Sequence, residues 1–143
     1  MANHGIALVT GAARRIGRVI ALSLARHGWD VAVHYRFSES EAMATAEDIR
    51  KLGRRSVALH CDLTDEEAVN RLLQRVEDSL GRPSCLINNA SVFEHDSVTD
   101  FSAHSLDFHM RTNLTAPVLL SRALHTMTPE GSQSVVVNLL DQK

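Results

Sequence analysis

The sequence is poor in tyrosine, lysine and cysteine, and each shortage limits what the chain can do. Among 143 residues the only tyrosine is Tyr35 and the only lysines are Lys51 and Lys143. Chemistry that needs a Tyr-Lys pair further along the chain therefore cannot come from these residues. The two cysteines, Cys61 and Cys85, fall in stretches that read as buried strands, with no CxxC pair and no disulfide framework, so reduced, inert thiols are expected. Strong charge of either sign is also missing: the formal net charge is −2, with acids and bases interspersed, which argues against a nucleic-acid partner. The N-terminal apolar run is broken by Gly11, Arg14, Arg15 and Arg18, too early for a signal segment or a membrane span, so a cytoplasmic protein without a membrane partner is expected. Eight histidines are present, yet His95, His104 and His109 have no metal-ligand spacing and no carboxylate set completes a site, so no metal is expected. Repeats, linkers and low-complexity tracts are absent. With 44% hydrophobic and 22% charged residues, residues 1–143 read as one globular domain.

What is present is an alternation of two periods. Short continuous apolar runs at Ile6 to Val9, Val31 to Tyr35, Ser56 to His60, Cys85 to Asn88 and Ser134 to Leu140 fit strands buried on both faces. Between them, helices are predicted over Arg15 to His27, Glu39 to Leu52 and Asp65 to Leu80, closed by Gly28, Gly53 and Gly81. Ser38-x-x-Glu41 and Thr64-x-x-Glu67 fit capping boxes, and Val69, Leu72, Leu73, Val76 and Leu80 form one apolar helix face. After a polar loop from Ser91 to Asp100, residues Ser102 to Met127 read as helix, broken near Asn113 and Pro117. Strand and helix in alternation imply parallel strands with right-handed crossovers. The expected fold is α/β, a Rossmann-like doubly wound parallel sheet truncated after the fifth strand, which leaves one edge or face uncovered.

The first strand runs into Thr10-Gly11-Ala12-Ala13-Arg14-Arg15-Ile16-Gly17, a glycine-bracketed turn that opens directly into a helix. Such a turn aims backbone N–H groups and the positive helix end at one spot, where a phosphate can sit. By itself Gly-x5-Gly fits a nucleotide site and a merely structural tight turn equally well, because Arg15 stands where the G-x-G-x-x-G fingerprint has its middle glycine. The second strand adds weight. It ends His34-Tyr35-Arg36-Phe37-Ser38 with no acid before Glu39, whereas an NAD site places an acid there for the ribose 2′-OH and an NADP site places basic groups for the 2′-phosphate. Arg14 and Arg36 each read alone as solvated charges. At two loops flanking one crevice they favour NADP(H).

These segments, with Cys61-Asp62-Leu63-Thr64, Asn88-Asn89-Ala90-Ser91-Val92-Phe93 and Asn113, follow the order of the short-chain dehydrogenase/reductase family, which the chain resembles over its whole length. Arg15 in place of the middle glycine and Ser91 in place of the glycine after Asn-Asn-Ala resemble the pteridine-reductase-like branch. The resemblance implies that Gly11, Arg14, Ile16 and Gly17 line the cofactor's pyrophosphate and ribose. It further implies that His34, Arg36, Phe37 and Ser38 line the 2′-phosphate, Asp62 and Leu63 the adenine, and Asn89, Ala90 and Ser91 the ribose and nicotinamide side. Arg15 would face the pyrophosphate or the substrate, and Phe93 would cover the substrate. Asn113 matches the family's catalytic asparagine, which positions a proton-relaying water, and Asp141 stands where most members carry the catalytic serine, so the resemblance implies a catalytic role for both.

The family's Tyr-x-x-x-Lys helix is not found within the chain, so the resemblance covers an N-terminal, cofactor-binding part, and full activity from these residues alone is not expected. Two function classes follow. One is an oxidoreductase passing a hydride from NADPH to a small-molecule carbonyl or pterin-like substrate. The other is a non-catalytic or vestigial module that holds NADP(H) without turning it over. The long helical segment also resembles the one with which family members associate, so a homo-oligomer is expected.

Overall fold

A computed structural model describes residues 2–141. The elements are β1 (Gly5–Val9), α1 (Arg15–Arg26), β2 (Trp29–Tyr35), α2 (Glu39–Lys51), β3 (Ser56–His60), α3 (Glu66–Leu80), β4 (Cys85–Asn88), α4 (Ala103–Met110), a π-helical turn (Arg111–Thr115), α5 (Ala116–Met127) and β5 (Val135–Asn138). The five strands form one parallel sheet in the order β3-β2-β1-β4-β5. The chain steps outward from β1 to β2 and β3, then returns to the other side of β1 for β4 and β5. Strand order therefore reverses between β1 and β4, and the loops leaving their carboxyl ends diverge and open a crevice.

Alternation along β1 divides the core. Ile6 and Leu8 face one side, where they pack with Leu72, Leu73 and Val76 of α3 and Leu120 and Leu124 of α5. Ala7 and Val9 face the other side, with Ala21 and Ala25 of α1 and Ala46 and Ile49 of α2. The small side chains on α1 let that helix lie close to the sheet, which brings its N-terminus up to the end of β1.

The structure corrects several expectations. Thr64 does not cap α3. Its neighbour Asp65 does, accepting from the Ala68 amide at 3.1 Å, while the Thr64 amide and hydroxyl both donate to Asp62 at 2.9 and 2.8 Å. Ser38 occupies the cap position of α2 without a side-chain cap bond. Cys61 lies one residue past β3, still buried, whereas Cys85 is the buried first residue of β4. β5 is shorter than expected and all four of its residues are exposed. It is an edge strand with no helix packed on it among the described residues, so its valine-rich sequence meets solvent on both faces.

The expected break in the long helix is a register change. Pro117 lacks the N–H that would bond the Asn113 carbonyl in an α-helix, and the preceding turn widens to a π pattern in which the Ala116 amide donates to Arg111. Within this turn Thr112 is buried against the crevice and Asn113 bonds Val92 in the loop after β4.

Candidate functional site

The crevice has a volume of about 400 Å³. Its floor is the glycine turn. Gly11 has φ +61°, a left-handed conformation, and a Cβ there would stand 3.0 Å from the Ala90 Cα. Gly17 is tighter: a Cβ would fall 2.1 Å from the Gly11 carbonyl oxygen. Asn89 supports this contact, its side-chain amide donating to the carbonyls of Thr10 and Gly11 at 2.9 and 3.2 Å. Thr10 returns the favour with its hydroxyl, which accepts from the amides of Asn89 and Ala90 at 3.0 and 2.9 Å. The turns after β1 and β4 are thus fastened to each other. From the other side, Thr45 of α2 donates to the Ala13 carbonyl at 3.1 Å and is itself held by Arg18, which also pairs with Asp48 at 2.7 Å. Arg14 caps α1 without a side-chain bond, so the first-turn amides have no internal partner.

At the outer end, Arg36, Phe37, Ser38, Asp62 and Leu63 form the wall. The Arg36 guanidinium lies 4.5 Å from the Phe37 ring centroid and 5.5 Å from that of Phe108 on α4, and its Nη2 pairs with Asp62 at 3.2 Å. Its Nε is buried without a partner. Burial pushes the Asp62 carboxyl up, but hydrogen bonds from Thr64 and the Arg36 charge outweigh it and hold the group below its usual range. His34 departs from the expected role. It reaches the crevice wall, yet its ring is 2% exposed, with Nδ1 accepting from the Gly11 amide and Nε2 bonded to the Cys61 carbonyl, both at 2.9 Å. Neither nitrogen is free for a phosphate.

At the inner end, Asn89, Ala90 and Ser91 line the crevice. Asn113 stands behind them: its side-chain oxygen accepts from the Val92 amide at 2.9 Å and its nitrogen donates to the Val92 carbonyl at 2.8 Å. This two-point clamp holds the loop after β4 against the π turn. Asp141 follows β5, is exposed, and does not line the crevice. Phe93 also lies outside, in a second hollow of about 360 Å³ with Phe101, Leu106 and His109. Ala13, Tyr35, Val92 and Thr112 line the crevice although no role was expected for them as ligands. For Thr112 the readable signal is Pro117, which fixes the helix break that turns it inward.

The short chain dehydrogenase family model matches residues 5–140, across both ends of this crevice. The chain belongs to the short-chain dehydrogenase family. Among curated relatives, it is 36% identical over 117 residues to the short-chain dehydrogenase/reductase FrzI of Cladobotryum sp, covering 82% of this chain and 45% of that protein. Among solved structures, FolM alternative dihydrofolate reductase 1 of Brucella canis, complexed with NADP, aligns with a TM-score of 0.92 at 36% identity, covering 96% of this chain and 55% of the other. A short chain dehydrogenase of Burkholderia cenocepacia, also in complex with NADP, gives 0.88 at 35%, with coverage of 95% and 55%. The chain spans about half the length of these relatives.

In this member of the family, Arg15 takes φ +54°, the only non-glycine residue with a positive φ among those described. A side chain in that region costs about 1 to 2 kcal/mol. Arg15→Gly is accordingly expected to stabilise the protein by about 1 kcal/mol, read as a higher urea midpoint at unchanged slope. A lower midpoint would mean that the arginine side chain contributes more than its backbone costs.

Proposed function

We propose that the crevice binds NADP(H) and that these residues form the cofactor-binding part of an oxidoreductase acting on a small carbonyl or pterin-like substrate. The observation that carries this reading is Arg36: a guanidinium held against two rings at the crevice wall, with a buried, unpartnered Nε, at the strand end where an NAD site would carry an acid. The residues present fit the cofactor in two other places. Gly17 leaves a cradle that any Cβ would fill, and the uncapped first turn of α1 presents amides to a pyrophosphate. The NADP complexes among the structural neighbours, one of them named a dihydrofolate reductase, support the same cofactor and a pterin-type substrate.

When bound, NADPH supplies the hydride. Arg36, with Ser38 and the Phe37 backbone, holds the 2′-phosphate; Asp62 and Leu63 flank the adenine. Gly11, Arg14, Arg15, Ile16 and Gly17 receive the pyrophosphate and its ribose, and Asn89, Ala90 and Ser91 the nicotinamide half. Asn113 fixes the Val92 segment and orients a proton-relaying water, and Asp141 takes the place of the family's catalytic serine. A homo-oligomer is proposed through the exposed stripe Leu106, Met110, Leu114 and Val118, which recurs every four residues along α4, the π turn and α5.

A second reading, a module that holds NADP(H) without turnover, is favoured by the position of Tyr35, whose place at the end of β2 puts the chain's only phenol on the adenosine side. Steady-state oxidation of NADPH by the chain separates the two readings.

Arg36→Glu tests the cofactor. It should weaken NADPH binding by about 2 to 4 kcal/mol, roughly 30-fold to 1,000-fold, because an acid replaces the base against the 2′-phosphate. NADH binding, measured in the same titration, should change little. Equal effects on both would remove the NADP(H) assignment.

A further inference from the structure

We propose that His34 is a positioning residue for the cofactor crevice, holding the glycine turn after β1 in register from below, while the segment after β3 is held also by the Cys61 amide, which donates to the Tyr35 carbonyl at 3.1 Å. This rests on the NADP(H) reading. The main chain and side chain of His34 take up two successive amides of the turn: the Ala12 N–H donates to the His34 carbonyl at 3.0 Å and the Gly11 N–H to Nδ1 at 2.9 Å. The opposite ring nitrogen meets the Cys61 carbonyl at 2.9 Å, next to Asp62 and Leu63 of the adenosine wall.

The partners dictate the ring's state. A backbone amide can only donate, so Nδ1 carries no hydrogen; a carbonyl can only accept, so Nε2 carries one. Both bonds exist together only in the neutral Nε2–H tautomer. Burial, followed by repulsion from His60 and Arg75, lowers the pKa to about 4 against the opposing pull of the Cys61 carbonyl and Asp62. The neutral form therefore persists through the physiological range.

The consequence reaches the ligand through Gly11. The Gly11 and Ala12 amides are turned down onto His34, so a pyrophosphate at the crevice floor meets amides further along, among them those of the first turn of α1. An apolar residue at 34 would leave the Gly11 amide buried without a partner, and the turn would rearrange to satisfy it. The pyrophosphate seat should suffer, whereas the Arg36 wall should not.

The test compares His34→Leu, His34→Asn and His34→Gln in the full chain, with NADPH and adenosine 2′-monophosphate as probes. The latter carries the 2′-phosphate but no pyrophosphate. The Leu variant should bind NADPH about tenfold more weakly, with adenosine 2′-monophosphate within about twofold of the original. Asn keeps an acceptor at the Nδ1 position and should recover most of the NADPH affinity; Gln, whose amide extends toward Cys61, should not. Amide exchange at Gly11 should quicken in the Leu and Gln variants alone. If the Leu variant does not fold, the contrast between Asn and Gln decides. NADPH affinity that is unchanged in Leu and Gln, or that falls equally for both probes in step with melting temperature, overturns the proposal. Failure of the unmodified chain to bind NADPH overturns the cofactor reading and this proposal with it, and is recognised because no variant is involved.

Discussion

Gly17→Ala is expected to lose about 2 to 3 kcal/mol of stability and nearly all NADPH affinity. The added methyl carbon would sit 2.1 Å from the Gly11 carbonyl oxygen, 2.8 Å from its carbon and 2.5 Å from the Asn89 side-chain nitrogen. The asparagine can swing away. The carbonyl cannot move freely, because Gly11 lies only two residues past β1, its amide is held by His34 and its φ is already left-handed. Relief must therefore come from pushing the N-terminus of α1 away from the turn, which opens the pyrophosphate seat, and the displaced Asn89 amide gives up its bonds to Thr10 and Gly11. Urea unfolding together with NADPH fluorescence titration checks both halves of the prediction. A variant with the original midpoint and affinity would show that the helix start is not seated against Gly11.

Asp30→Ala should cost more stability, about 3 to 5 kcal/mol, and should leave cofactor affinity untouched. Asp30 is the second residue of β2, at the end of the sheet remote from the crevice, and is 1% exposed. Its Oδ1 accepts from the Arg54 side chain and the Arg55 amide, both at 3.0 Å, and its Oδ2 from the Arg55 side chain at 2.9 Å. Removing the carboxylate strands the largely buried Arg54 guanidinium without its partner. Burial pushes the Asp30 carboxyl up, but the Arg55 hydrogen bonds and the charges of Arg54 and Arg55 outweigh it and hold it below its ordinary 3.8. A carboxyl lowered in the folded state stabilises fully above its unfolded value and ceases to do so as pH falls through the folded one. The gap between the original and Asp30→Ala should hence be constant from neutral pH down to about pH 5 and close only in stronger acid. A gap that grows on acidification would contradict this assignment.

Much of the crevice was legible because its chemistry is local. A glycine-bracketed turn, a strand end without an acid and Asn-Asn-Ala each carry their meaning within a few consecutive residues, and all the residues expected to line the cofactor do line the crevice. What escaped reading depends on contacts between distant segments. His34 reads as a lining residue of the 2′-phosphate, and only the approach of Gly11 and the Cys61 carbonyl shows that its ring is spent on the backbone. Phe108 and Arg36 lie far apart in sequence, and nothing local signals that α4 reaches over the β2 exit. Thr64 and Asp65 are both competent caps, and the structure chooses the second because Asp62 occupies the first. β5 shows the reverse error. Its valines carry strand propensity, but burial belongs to whatever packs on a strand, and at this edge nothing does among the described residues.

The NADP(H) assignment is tested most directly by titrating the purified chain with NADPH and NADH side by side, by calorimetry or nicotinamide fluorescence. Saturable NADPH binding, with NADH weaker by about tenfold or more, is the expected result, since only NADPH carries the phosphate that Arg36 is placed to receive. Equal binding of the two, or no binding of NADPH, would contradict it.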